Sequence, residues 1–223
     1  MTLPHVIAAG GDGVCPAVER EGLASARPRL GYSSADLKRL DELTGGVPLE
    51  RPEDIRRIID NYLYLDDWRA NYKIQSVRSS LHATRITCID AAIFSYGLLE
   101  LLFPTTKRRL LAIHRRDPAK DEECGHCVTL YWRGEGRIGS FSKSSFAGLG
   151  HREAEFPDEA SIATSYAKAY VAMSFEPLYF GVTTLEESAP DLDWRLHEGD
   201  LNQISDRLQA SYAYGFMIEK PGR

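Results

Sequence analysis

Cysteine is scarce in this chain and long apolar runs are absent. The four thiols are Cys15, Cys88, Cys124 and Cys127. The N-terminus has neither the basic head nor the long apolar stretch of a secretory signal, so these are read as reduced thiols and the cytoplasm as the expected location. No apolar run approaches the roughly 20 residues of a membrane span. Positive charge is not in excess either: the net charge is −5, which gives no electrostatic case for nucleic acid or an anionic membrane. Internal repeats and low-complexity tracts are missing. What remains is ordinary for a globular domain, with 43% hydrophobic and 26% charged residues. At 223 residues it is long enough for a substantial core.

Residues 1–32 carry Gly10-Gly11-Asp12-Gly13 and several prolines with little periodicity, and read as an irregular arm. The domain proper is expected over residues 33–223. Ser33 or Ser34 caps a helix through Leu37, Leu40 and Leu43, which Thr44-Gly45-Gly46 stops. Pro52 opens a second helix, with Ile55, Ile58, Ile59, Tyr62, Leu63 and Leu65 on its core face. Residues 71–86 form a polar lead-in to an apolar helical run that begins near Thr87-Cys88 and that Pro104 terminates. Then the pattern turns to strands: Arg109 to Arg115, a polar loop, and a hairpin of His126–Trp132 and Arg137–Phe141 across Gly134-Glu135-Gly136. A helix over 159–173, a strand Leu178–Thr183, a helix through Leu201, Ile204 and Leu208, and a last strand Ala213–Ile218 complete the chain. Helices, then the cysteine helix, then strands: the order predicts an α+β domain with an antiparallel sheet packed on that helix.

Cys88 is the candidate nucleophile. A thiol at a helix N-terminus meets free backbone N–H groups and the positive end of the macrodipole, which favour a thiolate and supply an oxyanion site. A free cysteine is more often a small buried hydrophobe. The second segment shifts the balance: Gly125-His126-Cys127-Val128-Thr129-Leu130 reads as a strand opening with a histidine, and a cysteine on a helix head with a histidine on a following strand is the pair a cysteine hydrolase needs.

Thr87-Cys88-Ile89-Asp90-Ala91-Ala92, Gly125-His126-Cys127-Val128-Thr129-Leu130-Tyr131 and Arg137-Ile138-Gly139-Ser140-Phe141-Ser142 together resemble the transglutaminase-like, papain-related cysteine protease superfamily. The resemblance spans about residues 52–150. It implies a papain-like core with the nucleophile-bearing helix on an antiparallel sheet, Cys88 as nucleophile, and His126 as its base. The family places an aspartate on the third strand; here that place falls to Ser142 (or Ser140), and no carboxylate lies between Arg137 and Arg152. A hydroxyl can orient an imidazole but cannot stabilise the imidazolium as a carboxylate does. Asp158 is a possible replacement, and an aspartate at position 142 is expected to strengthen the triad.

The activity so implied is acyl transfer on an amide, ester or thioester through a Cys88 acyl-enzyme: peptidase or amidase with water as acceptor, transamidase with an amine. The substrate is a small-molecule, peptide or carrier-bound acyl group; no cofactor and no metal are called for. Two alternatives stand. A catalytically silent binding domain keeps the fold and fits the missing aspartate. A metal site would draw on Cys124, His126 and Cys127 with His114 nearby, but a second ligand pair is missing and strand alternation sends His126 and Cys127 to opposite faces.

Overall fold

In the computed structural model the described residues are 31–66, 72–134, 136–197, 201–212 and 214–215. Residues 1–30 of the expected arm over 1–32 therefore lie outside them, while its residue Tyr32 is buried in the core.

The helical half comes first. Helix α1 (Ser34–Leu43) starts at Ser33, whose side chain and backbone exchange hydrogen bonds with Asp36, and ends where Gly45 and Gly46 take positive φ. A 3-10 turn at Pro52–Asp54 leads into α2 (Ile55–Asp60). This helix is shorter than its sequence pattern predicts. The chain turns after Asp60 into a two-residue strand β1 (Leu63–Tyr64), which leaves Leu63 exposed instead of in the core. Strand β1 pairs in parallel with β2 (Arg85–Ile86). Between them the stretch expected to be merely polar holds a helix, α3 (Val77–His82), capped by Ser76. Its apolar side rests on only Val77 and Leu81, too few to register as a helical period.

Helix α4 (Cys88–Leu102) is the centre of the molecule: every one of its residues except Glu100 is buried. A helix apolar on all sides belongs inside, with partners around its whole circumference. On one side are α2 and α3, on another the sheet. That sheet has six antiparallel strands: β3 (Arg108–Asp117), β4 (Glu122–Arg133), β5 (Arg137–Phe141), β6 (Arg152–Phe156), β7 (Glu176–Thr183) and β8 (Tyr214–Gly215), in the order β6-β5-β4-β3-β7-β8. The polar loop expected after Arg115 is only a tight turn, with Asp121 at φ 55, because both strands extend to pair Asp117 with Glu122. Of the expected last strand, Tyr214–Gly215 pairs with β7; Ala213 and residues 216–218 lie outside the described residues.

Alternation along the strands divides the interior in two. Leu110, Ala112, Cys127, Tyr131 and Phe141 pack toward α4, while Leu111, Ile113, Val128, Leu130 and Ile138 pack toward α5 (Glu159–Ala172) through Ile162, Tyr166 and Tyr170. The sheet is thus covered on both faces, and the α+β architecture is as its order of elements predicts. The short helix α6 (Leu185–Ser188) and α7 (Gln203–Gln209) close the α4 side, with Leu185, Ile204 and Leu208 joining that core.

Candidate active site

Cys88 is the first residue of α4. Thr87 caps the helix, and Asp90 returns the favour by accepting from the Thr87 amide and hydroxyl, each at 2.8 Å. The same carboxylate accepts from the Gln75 amide at 2.8 Å and from the Tyr72 hydroxyl. Burial pushes Asp90 up to about 6 against the hydrogen bonds from Gln75 and Thr87. The helix head is therefore pinned from three directions, and Cys88 with it.

The Cys88 thiol is buried in the wall of a cavity of about 280 Å³, shared with Ala112, Gly125, His126, Cys127, Leu208 and Tyr212. Its hydrogen-bond donors are the backbone N–H of Cys127, of Ile89 and of Cys88 itself and the hydroxyl of Tyr64. The Cys127 amide is available because β5 ends opposite Thr129, leaving β4 without a partner on that side. Burial outweighs these donors and raises the thiol pKa.

His126 enters from the other side of the strand. Its ring lies against Tyr166 and Tyr170, with centroids 5.9 and 6.5 Å apart, and its Nε2 is 2.8 Å from Ser142 Oγ. Ser142 Oγ donates to the Leu149 carbonyl at 2.6 Å. A carbonyl only accepts, and a serine hydroxyl has one proton to give. Ser142 must then accept from His126, so Nε2 carries the hydrogen and Nδ1 holds the free lone pair. The Ser142 amide in turn donates to His151 Nδ1 at 3.1 Å, and His151 Nε2 meets Asp60 Oδ1 at 3.0 Å. Burial, together with the charges of Arg115 and Arg152, pushes His126 down to about 3. The imidazole is neutral at neutral pH.

The structure thus joins His126 to Ser142 directly and brings Cys88 and His126 to one cavity wall without a hydrogen bond between them. The two side chains lie on different sides of β4, the thiol beside the Cys127 amide and the imidazole against Tyr166 and Tyr170. Ser140, the other possible orienting residue, meets the Tyr166 hydroxyl at 2.7 Å instead. Asp158 does not replace the missing carboxylate: it is exposed and caps α5 by accepting from the Ser161 amide. The metal alternative finds no support in the grouping of side chains. Among the described residues no three His, Cys, Asp or Glu come together, and Cys127 faces α4 while His126 faces α5.

Tyr64, Arg115 and the Asp60–His151 pair were not legible as site residues. Tyr64 sits in a two-residue strand with no motif, and Asp60 lies 82 positions before Ser142 (142 − 60).

No protein-family model matches this chain, and neither does any curated protein. Among solved structures it is similar to Legionella pneumophila LapG, at 13% identity and a TM-score of 0.41, over 83% of this chain and 97% of that one. The calcium-bound form of LapG gives 13% identity and a TM-score of 0.38, over 84% and 98% of the two chains.

Proposed function

We propose that the protein is a transglutaminase-like enzyme carrying out acyl transfer through Cys88. The observation that carries this reading is the relay from His126 Nε2 to Ser142 Oγ to the Leu149 carbonyl. It leaves the imidazole neutral, with the Nδ1 lone pair free, on a residue that shares a cavity lining with the thiol at a helix head.

On that reading His126 Nδ1 takes the thiol proton as Sγ bonds to the carbonyl carbon of an amide, ester or thioester. The negative charge passes to the carbonyl oxygen, where the donors now turned to the sulfur (Tyr64 hydroxyl, Ile89 and Cys127 amides) can meet it. Collapse breaks the bond to the leaving group, which departs with the proton from His126. Water or an amine then attacks the acyl-enzyme by the reverse sequence and regenerates Cys88. Both reactants start neutral, so the cost of desolvating an ion pair is not met before substrate arrives.

The test is intact mass after mixing with activated acyl thioesters. One acyl group should be added per chain and should map to Cys88. It should be absent in Cys88→Ala and slowed about a thousandfold or more in His126→Ala, since members of a catalytic unit fail together. Acylation of Cys124 in place of Cys88, or equal rates for His126→Ala and the parent, would leave the silent binding domain as the better account. The missing carboxylate is the one feature that favours that second reading.

A further inference from the structure

Of the four arginines on β3, three are paired with carboxylates among the described residues. Arg109 meets Glu159 at 3.1 Å, Arg116 meets Glu176 at 2.5 Å and Arg108 meets Glu100 at 3.3 Å. Arg115, between them on β3, is 9% exposed, and no carboxylate among the described residues forms an ion pair with it. Its guanidinium lies 3.8 Å from the ring centre of Phe175, 5.3 Å from Tyr170 and 5.6 Å from Phe146. The Tyr170 hydroxyl accepts from it, but Nη1 is buried with no hydrogen-bond partner. Aromatic faces stabilise a cation without neutralising it. Arg108 and Arg116 also keep a buried Nε without a partner, but each has its carboxylate; Arg115 combines a free buried Nη1 with no carboxylate, and a guanidinium fork suits one.

The place of this residue gives it a use. Ile113 pairs with His126 across β3 and β4, and Arg115 pairs with Cys124 two positions further along the same face. Two residues of strand are roughly 7 Å. Cys124 and His126 both line the Cys88 cavity, and the outer wall of the aromatic cage is Phe146, 38% exposed. Arg115 is on the α5 face and does not line that cavity, but its charge reaches the Tyr64 hydroxyl that donates to Cys88, so an anionic group extending past the open edge of β4 from Cys88 would approach the guanidinium.

We propose that Arg115 is a specificity-determining residue that receives a carboxylate of the acyl substrate, selecting donors with a negative charge a few atoms beyond the scissile carbonyl. This rests on the acyl-transfer reading of Cys88. It selects among substrates and takes no part in the bond changes.

The probes are two thiophenyl thioesters of glutaric acid, one with the distal carboxylate free and one with it as the primary amide. They match in size and differ in charge. Acylation of Cys88 by the acid should be about tenfold faster or more than by the amide, as expected for a hydrogen bond to a charged partner. In Arg115→Met, which keeps the stem in the cage, the ratio should fall to about 1, with Arg115→Lys between. The ratio is the readout because any change in His126 basicity on losing the charge affects both donors alike. A ratio near 1 in the parent protein overturns the proposal without any variant, and so does a ratio that survives in Arg115→Met. Glutarate binding to the whole chain, followed by calorimetry, separates the two readings. If neither thioester acylates Cys88 but glutarate binds and Arg115→Met abolishes it, the anion site stands and the acyl-transfer reading falls. If glutarate does not bind, the anion site falls.

Discussion

Ser142 stands where the proposed site would differ from a carboxylate triad. Its hydroxyl is buried and has a partner on each side, the His126 imidazole and the Leu149 carbonyl. Ser142→Ala removes a neutral hydrogen bond worth about 0.5–1.5 kcal/mol and leaves Leu149 with an unmet acceptor, so acylation should slow about 2- to 15-fold and stability should fall by about 1–3 kcal/mol. From the sequence, Ser142→Asp looked like a repair. The structure gives the opposite sign. The Oγ donates to a carbonyl at 2.6 Å, and an ionised carboxylate has no proton to give. Two acceptors would face each other in a buried site, so Ser142→Asp should be less stable than Ser142→Ala and no faster. The measurement is a comparison of acylation rates and urea midpoints for the three proteins. An accelerated Ser142→Asp variant would mean that Leu149 can turn its carbonyl away.

At the scale of elements, α4 and α3 fit at Gly97. A methyl group added there would lie 2.4 Å from Val77 Cγ2 and 3.0 Å from Cγ1. Alanine in a helix interior gains about 1 kcal/mol over glycine. Overpacking a filled core costs about 1–3 kcal/mol, and a β-branched valine cannot swing aside. Gly97→Ala should therefore destabilise, against its propensity. Adding Val77→Ala should recover part of the loss, and a double-mutant cycle in urea reads the coupling. If Gly97→Ala alone stabilises, the two helices are not this close. Where the apolar period was strong, elements were legible in the chain: Ser33 caps α1, Thr87 caps α4, and the Arg137–Phe141 strand falls where expected. The misses share a cause. Helix α3 has two core side chains and β6 reads Arg-Glu-Ala-Glu-Phe, so tertiary contacts and not a local pattern hold them. The candidate site was legible to the same degree. Cys88 and His126 stand on elements with strong periods and Ser142 directly follows one, whereas Arg115 looks in sequence like one more of the four arginines of its strand.

At the scale of the whole molecule, no local pattern shows that β3 pairs with β7, about 70 residues later, or that α5 covers the second face of the sheet. That second cover is what buries His126, and it makes acid stability a property of the whole fold. An unfolded imidazole takes up a proton near pH 6.5, whereas His126 resists until about 3. Between those values the unfolded chain binds more protons, so the contribution of His126 is complete above about 6.5 and is lost as pH falls through that window. His151 is also lowered by burial and acts in the same direction. Asp90 acts in the other: burial raises it to about 6, so the folded chain takes its proton first and gains stability as pH falls from there. The two opposing effects make the parent protein's own pH curve ambiguous, but Asp90 cancels in a comparison with His126→Gln, whose amide can still donate to Ser142. Between pH 7 and pH 5 the stability of the parent relative to that variant should fall by about 2 kcal/mol, from 1.36 kcal/mol per pH unit below 6.5. Urea denaturation of both proteins at the two pH values measures it. A difference that does not change with pH would mean that water reaches His126 and that the cover over the sheet is open in solution.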